Sequence, residues 1–182
     1  MIKPYSLDDY VEEVIQYIKA NGLKNPHVIA HSFGTRVALK TEYLYPNTFD
    51  RLVITGGAGL KPRLKITKLI KVSTFKVLKL FVKKQRLQKF YSPDYRALSP
   101  VMKESFIKIV NEHLDYTLPK IKNRTLIIFG KRDKQTPIYM AKRFNKRINK
   151  SSLTIIKGAG HFAFIDKPFK FNTEVKEFLL SK

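Results

Sequence analysis

The sequence predicts an α/β fold, a parallel, doubly wound sheet interrupted by a helical insertion. Three observations predict it. Short apolar runs alternate with segments of helical periodicity. The alternation appears on both sides of a helical insertion whose composition shifts from Lys61 onward. The runs are apolar throughout, as in strands covered on both faces.

The first segment reads as a helix. Ser6 and Asp9 form an S-x-x-D capping signal, Leu7, Val11, Val14 and Ile18 recur at helical spacing, and Asn21-Gly22 closes it. His27–Ala30 is a short apolar strand, followed by a sharp turn at His31 to Gly34. A helix from about Thr35 to Tyr43 follows, stopped by Pro46. Leu52–Ile54 is the next strand and runs into the loop Gly56-Gly57-Ala58-Gly59. Ser99-Pro100 opens a helix through about Leu114, with Phe106, Ile109, Val110 and His113 as its apolar stripe. Thr125–Phe129 is a strand, Thr136-Pro137 caps a helix through about Arg147, and Leu153–Ile156 is a further strand. Pro168 opens the last helix, with Phe171, Val175 and Phe178 inward.

Composition narrows the function classes. The 182 residues fit one domain, and 43 % apolar with 12 % aromatic content excludes a disordered chain. The absence of cysteine excludes a disulfide scaffold, a thiolate metal site and a cysteine nucleophile. His and the carboxylates show no metal-ligand spacing. The first ten residues lack an apolar leader, and no 18-residue uncharged apolar run exists, so the expected location is cytoplasmic. The net charge is +22, mostly from lysine. Such a charge suits nucleic acid, but no nucleic-acid motif accompanies it, and a codon bias towards Lys, Ile and Asn accounts for it. Residues 61–90 hold eleven basic residues and no acid. Ile66, Ile70, Val77 and Phe81 can share one helical face there, which suits either an insertion packed on the core or peripheral contact with an anionic membrane.

The chemistry-bearing pattern is Ala30-His31-Ser32-Phe33-Gly34, small-x-Ser-x-Gly between a strand and a helix. A sharp strand-to-helix turn lifts the Ser hydroxyl above the sheet, and small residues two before and two after let the backbone double back. A Ser hydroxyl needs a base, and Gly158-Ala159-Gly160-His161 supplies one after the strand Leu153–Ile156. The base needs an acid, and Asp133 follows the strand Thr125–Phe129. Asp166 is an alternative acid, close to the His in sequence. The bland readings are a helix-capping Ser32, a turn Asp133 and a polar turn His161; the order Ser32, Asp133, His161, each after a strand, favours the nucleophilic one. His31 reads as a packing residue, and His27 and His113 as structural. The loop 56–59 is either the exit into the insertion or a phosphate nest beside Lys61 and Arg63.

On His27–Arg36 (HVIAHSFGTR), Thr125–Pro137 (TLIIFGKRDKQTP) and Lys157–Pro168 (KGAGHFAFIDKP), the chain resembles the α/β-hydrolase fold family. The resemblance implies Ser32 as nucleophile, Asp133 as triad acid, His161 as general base and the Phe33 amide as an oxyanion donor. It implies a core of 1–58 and 119–182, a basic helical cap over 59–118, no cofactor, and a small-molecule acyl substrate: an ester, thioester, lactone or amide. Ala30 stands where the family most often has Gly. The family also has its nucleophile after the fifth strand, whereas here it follows the first. The resemblance therefore implies that the opening strands, and the loop carrying a second oxyanion amide, have no counterpart. The chain then reads as the C-terminal part of such a hydrolase, its exposed sheet edge covered by an N-terminal half or by a second copy. The competing readings are a catalytically impaired remnant acting as a binding module, and a basic membrane- or nucleic-acid-associated protein.

Overall fold

A computed structural model describes residues 3–63 and 93–181. Among the described residues, four strands, β1 (Val28–His31), β2 (Arg51–Thr55), β3 (Arg124–Gly130) and β4 (Ser151–Ile156), form one sheet in the order β1-β2-β3-β4. Every neighbouring pair is parallel, with Val28 opposite Leu52, Arg51 opposite Arg124 and Thr125 opposite Ser151. The sequence-predicted strands are all present, each differing by one or two residues at its ends.

Helices cover both faces. α1 (Leu7–Ala20) opens on a capping box, in which the Ser6 hydroxyl accepts from the Asp9 amide and the Asp9 carboxylate accepts from the Ser6 amide. α2 (Phe33–Leu44) follows β1 directly and starts two residues before the predicted Thr35. Leu7 of α1, Leu39 of α2, and Met140 and Phe144 of a later helix share one core with Ala30, Ile54, Ile127 and Phe129 of the sheet. The other face of the sheet, Val53, Leu126 and Ile128, packs against Ala163, Phe171 and Val175 near the C-terminus. The sheet is therefore doubly covered, as its continuous apolar strands require.

The remaining described helices are α3 (Pro93–Ala97), α4 (Pro100–Asn111), α5 (Ile138–Arg147), α6 (Ala163–Asp166) and α7 (Pro168–Leu180), with a 3₁₀ turn at Leu118–Lys120. α3 and α6 are too short to show a helical period in the sequence. α4 ends at Asn111, three residues before the predicted Leu114. Its last carbonyls are captured by Arg36, whose Nη1 donates to Ile109 O at 2.9 Å and to Glu112 O at 2.7 Å. The predicted apolar stripe of α4 is corrected as well. Ile109 is buried, but Phe106 and Val110 are exposed and line a cavity rather than the core. The face predicted at Ile66, Ile70, Val77 and Phe81 lies outside the described residues. Among the described residues, no helix is long and apolar enough to cross a membrane.

Among the described residues, β1 is an edge strand. Ile29, on the face towards the C-terminal helices, is 53 % exposed. A trench of about 630 Å³ runs beside it, lined by Tyr10, Val14 and Ile18 of α1, Val28 and Ala30 of β1, and Val37 of α2. An apolar edge of this kind is a template for strand pairing.

Candidate active site

Three loops at the C-terminal end of the sheet bring together residues far apart in the chain. Ser32 sits between β1 and α2 with φ 48° and ψ −110°, a left-handed backbone that costs a non-glycine residue about 1–3 kcal/mol. The turn is held there by backbone bonds. The Ser32 amide donates to Thr55 O at 3.0 Å, and the Ala58 amide donates to Ser32 O at 3.1 Å. Ser32 occupies the N-cap position of α2, yet its hydroxyl makes no capping bond. The Oγ instead lies 3.0 Å from His161 Nε2. Phe33 is the first residue of α2, so its amide has no acceptor within the helix.

Asp133 follows β3 in a turn closed by its own amide on Gly130 O. Its carboxylate is fully engaged. Oδ1 accepts from the amides of Gln135 and Thr136 at 2.8 and 2.9 Å. Oδ2 accepts from the Thr136 hydroxyl at 2.7 Å and lies 2.8 Å from His161 Nδ1. Burial pushes this carboxyl up, but the bonds from His161 and Thr136 outweigh it and hold it below the ordinary Asp value. Of the predicted capping pair Thr136-Pro137, Pro137 is the N-cap of α5, and the Thr136 hydroxyl turns back to Asp133.

His161 is buried, after β4, with its two ring nitrogens facing the two partners predicted for it. Asp166, the alternative acid, accepts from the Gly160 amide at 2.7 Å and braces the loop from outside. The loop 56–59 serves the site. A Cβ at Gly56 would lie 3.0 Å from His161 Nδ1, on a φ of +53°, so any side chain there is strained and presses on the imidazole. Gly59 O accepts from the Leu114 amide at 2.8 Å, which ties the exit of β2 to the segment after α4. At Gly34 the outcome is the reverse of the expectation. A Cβ there meets no heavy atom within 4 Å, because Gly34 borders the open trench.

His31 packs its ring 4.7 Å from that of His161 and 5.1 Å from those of Phe162 and Phe164. Its Nδ1 is 3.1 Å from Thr55 O, and its Nε2 is buried without a partner. Burial, helped by the neighbouring His161, pushes its pKa below the ordinary His value. His27 faces Asp50 at 3.3 Å, away from the site.

Above Ser32 lies a cavity of about 360 Å³. Its floor is Ser32, Phe33 and Ala58, and its roof is Leu98 with Met102, Phe106 and Val110 of α4. Two buried cations of α2 hold α4 in place. Arg36 binds the carbonyl end of α4, where the helix dipole is negative, and Lys40 bridges Glu112 at 2.5 Å and Asp8 at 2.9 Å. Among the described residues, no cluster of His, Asp and Glu could hold a metal ion.

Sequence reasoning missed Thr136, Gly56 as a partner of His161, and Arg36. Only Thr136 had a local signal, a hydroxyl three residues after the acid.

Residues 3–174 match the model of the alpha/beta hydrolase family. The chain is 25 % identical over 199 aligned positions to a 2-hydroxymuconate semialdehyde hydrolase of Pseudomonas putida, covering 96 % of this chain and 69 % of that protein. In structure it is similar to a serine hydrolase involved in carbazole degradation (TM-score 0.74, 24 % identity, 100 % of this chain and 74 % of that one). It is also similar to an esterase of Exiguobacterium antarcticum (TM-score 0.72, 23 % identity, 97 % and 75 %). With the parallel sheet, the turn at Ser32 and a family match over nearly its whole length, the chain belongs to the alpha/beta hydrolase family.

Proposed function

We propose that the chain is a serine hydrolase acting on a small ester, thioester, lactone or amide through an acyl-enzyme on Ser32. One observation carries the reading: Ser32 Oγ, both ring nitrogens of His161 and Asp133 Oδ2 form a continuous hydrogen-bonded line, with steps of 3.0 and 2.8 Å. Ser32 attacks the substrate carbonyl as His161 Nε2 takes the hydroxyl proton. Asp133 holds the Nδ1–H tautomer and stabilises the imidazolium. The Phe33 amide, at the positive end of α2, faces the negative charge that develops on the carbonyl oxygen. Collapse expels the leaving group, which takes the proton from His161. Water then gives a proton to His161 Nε2 and its oxygen to the acyl carbon; collapse breaks the bond to Ser32 Oγ, which takes that proton back from His161 as the acid leaves.

The apolar cavity roofed by α4 would receive the acyl or leaving group. The relatives named as hydrolases support the reaction class but differ in substrate, and a shared fold does not choose among them.

The test is covalent labelling by a fluorophosphonate probe, with Ser32→Ala and His161→Ala as controls. Labelling that needs both residues supports the reading. A folded chain that is not labelled, or one labelled equally well after Ser32→Ala, sinks it.

A further inference from the structure

A second concavity, of about 450 Å³, lies between the chain leaving β2 and helix α5. One wall is Lys61, Pro62 and Arg63; the other is Tyr139, Lys142, Arg143 and Lys146. The α5 residues are spaced i, i+3, i+4 and i+7, so they share one helical face. The walls are stapled to each other. Arg143 Nη1 donates to Lys61 O at 2.7 Å, the Lys61 amide donates to Asp115 Oδ2 at 2.8 Å, and Arg143 pairs with Asp115 Oδ1 at 2.7 Å. The Arg63 amide donates to the Tyr139 hydroxyl, and its guanidinium lies 4.8 Å from the centre of the Tyr139 ring.

Asp115 balances Arg143 and leaves the other four cations uncompensated. Among the described residues, Lys61, Arg63, Lys142 and Lys146 have no carboxylate within ion-pair distance. Residues 64–92, which continue from this wall, contain no Asp or Glu to supply one. A general lysine excess accounts for the number of cations. It does not account for their convergence on a braced concavity. Like charges held this close repel one another, and a bound polyanion would relieve that repulsion. The concavity is bounded by seven residues on two segments, a footprint that suits a compact anion better than a duplex.

We propose that this cleft binds a small oligophosphate-bearing ligand, one carrying a di- or triphosphate group. The site stands apart from Ser32 chemistry, so the two readings fail independently.

The test is calorimetric titration of the full chain with inorganic tripolyphosphate and pyrophosphate at about 0.15 M salt, where exposed unspecific attraction is largely screened. The expected result is saturable one-to-one binding, weakened about tenfold or more in Lys142→Glu/Lys146→Glu and about fivefold in the milder Lys142→Gln. The same charge change beside β1, at the opposite edge of the sheet (Lys19→Glu/Lys24→Glu), should leave binding within about twofold. Circular dichroism confirms that each variant is folded. Absence of saturation, or equal loss in both double variants, overturns the proposal. So does binding confined to phosphatidylglycerol vesicles with none to tripolyphosphate, which would make the source a lipid surface.

Discussion

Thr136 donates its hydroxyl to the same Oδ2 of Asp133 that faces His161 Nδ1, at 2.7 Å, within a buried turn. The threonine therefore helps decide how the carboxylate points and how readily it stays ionised. A hydrogen bond to a buried charged group is worth about 1.5–3 kcal/mol. Thr136→Val keeps the shape and removes the donor. It should slow fluorophosphonate labelling of Ser32 by about tenfold or more, with Thr136→Ser restoring most of the rate. Equal labelling of Thr136→Val and the unaltered chain would show that the two backbone amides on Oδ1 suffice.

Two glycines near the site should respond in opposite ways. Gly56→Ala adds a Cβ 3.0 Å from His161 Nδ1 on a left-handed backbone, so labelling should fall steeply and stability by about 1–3 kcal/mol. Gly34→Ala adds a methyl group to open space inside α2. It should be neutral or stabilising by up to about 1 kcal/mol, since alanine favours helix over glycine by that amount. Urea denaturation of both variants checks the contrast.

His31 should make stability depend on pH. Burial and the nearby His161 disfavour its imidazolium, so its folded pKa lies below the ordinary 6.5. As pH falls through 6.5, the unfolded chain takes up the proton first. The stability from this residue is thus complete above 6.5 and is lost as pH falls towards the folded value. The nearby Asp133 charge opposes the shift without cancelling it. Asp133 itself acts in a separate, more acidic window: its contribution is present above the ordinary 3.8 and is lost as pH falls through its lowered folded value. Denaturation of the unaltered chain and of His31→Asn at pH 7.5 and 5.5 tests this. The unaltered chain should lose more stability across the interval than the variant, and matching losses would refute the assignment.

The edge strand β1 predicts self-association of the isolated chain. Ile29 is 53 % exposed beside an apolar trench, and inward or edge lysines are a common means of blocking strand pairing. Ile29→Lys should shift sedimentation towards monomer and raise the concentration at which the chain stays in solution. An unchanged size distribution would mean that β1 is not the sticky surface.

The sequence alone determined the order of the strands and the longer helices, the parallel sheet, and Ser32, Asp133 and His161 as candidates. These are legible because strand and helix periods are local, and because each candidate follows a strand. The helix ends were less legible. α2 starts at Phe33 because the turn at Ser32 enters it directly, and α4 stops at Asn111, with the Glu112 carbonyl just beyond its end bound by Arg36, 76 residues earlier in the chain. Only the tertiary structure decided that His161 needs a glycine at 56, that Thr136 serves Asp133 rather than α5, and that Lys61 and Arg63 meet the basic face of α5. Each of these depends on atoms brought within a few ångströms by the packing of the sheet and its loops. Residue spacing along the chain carries no record of such distances between separate elements.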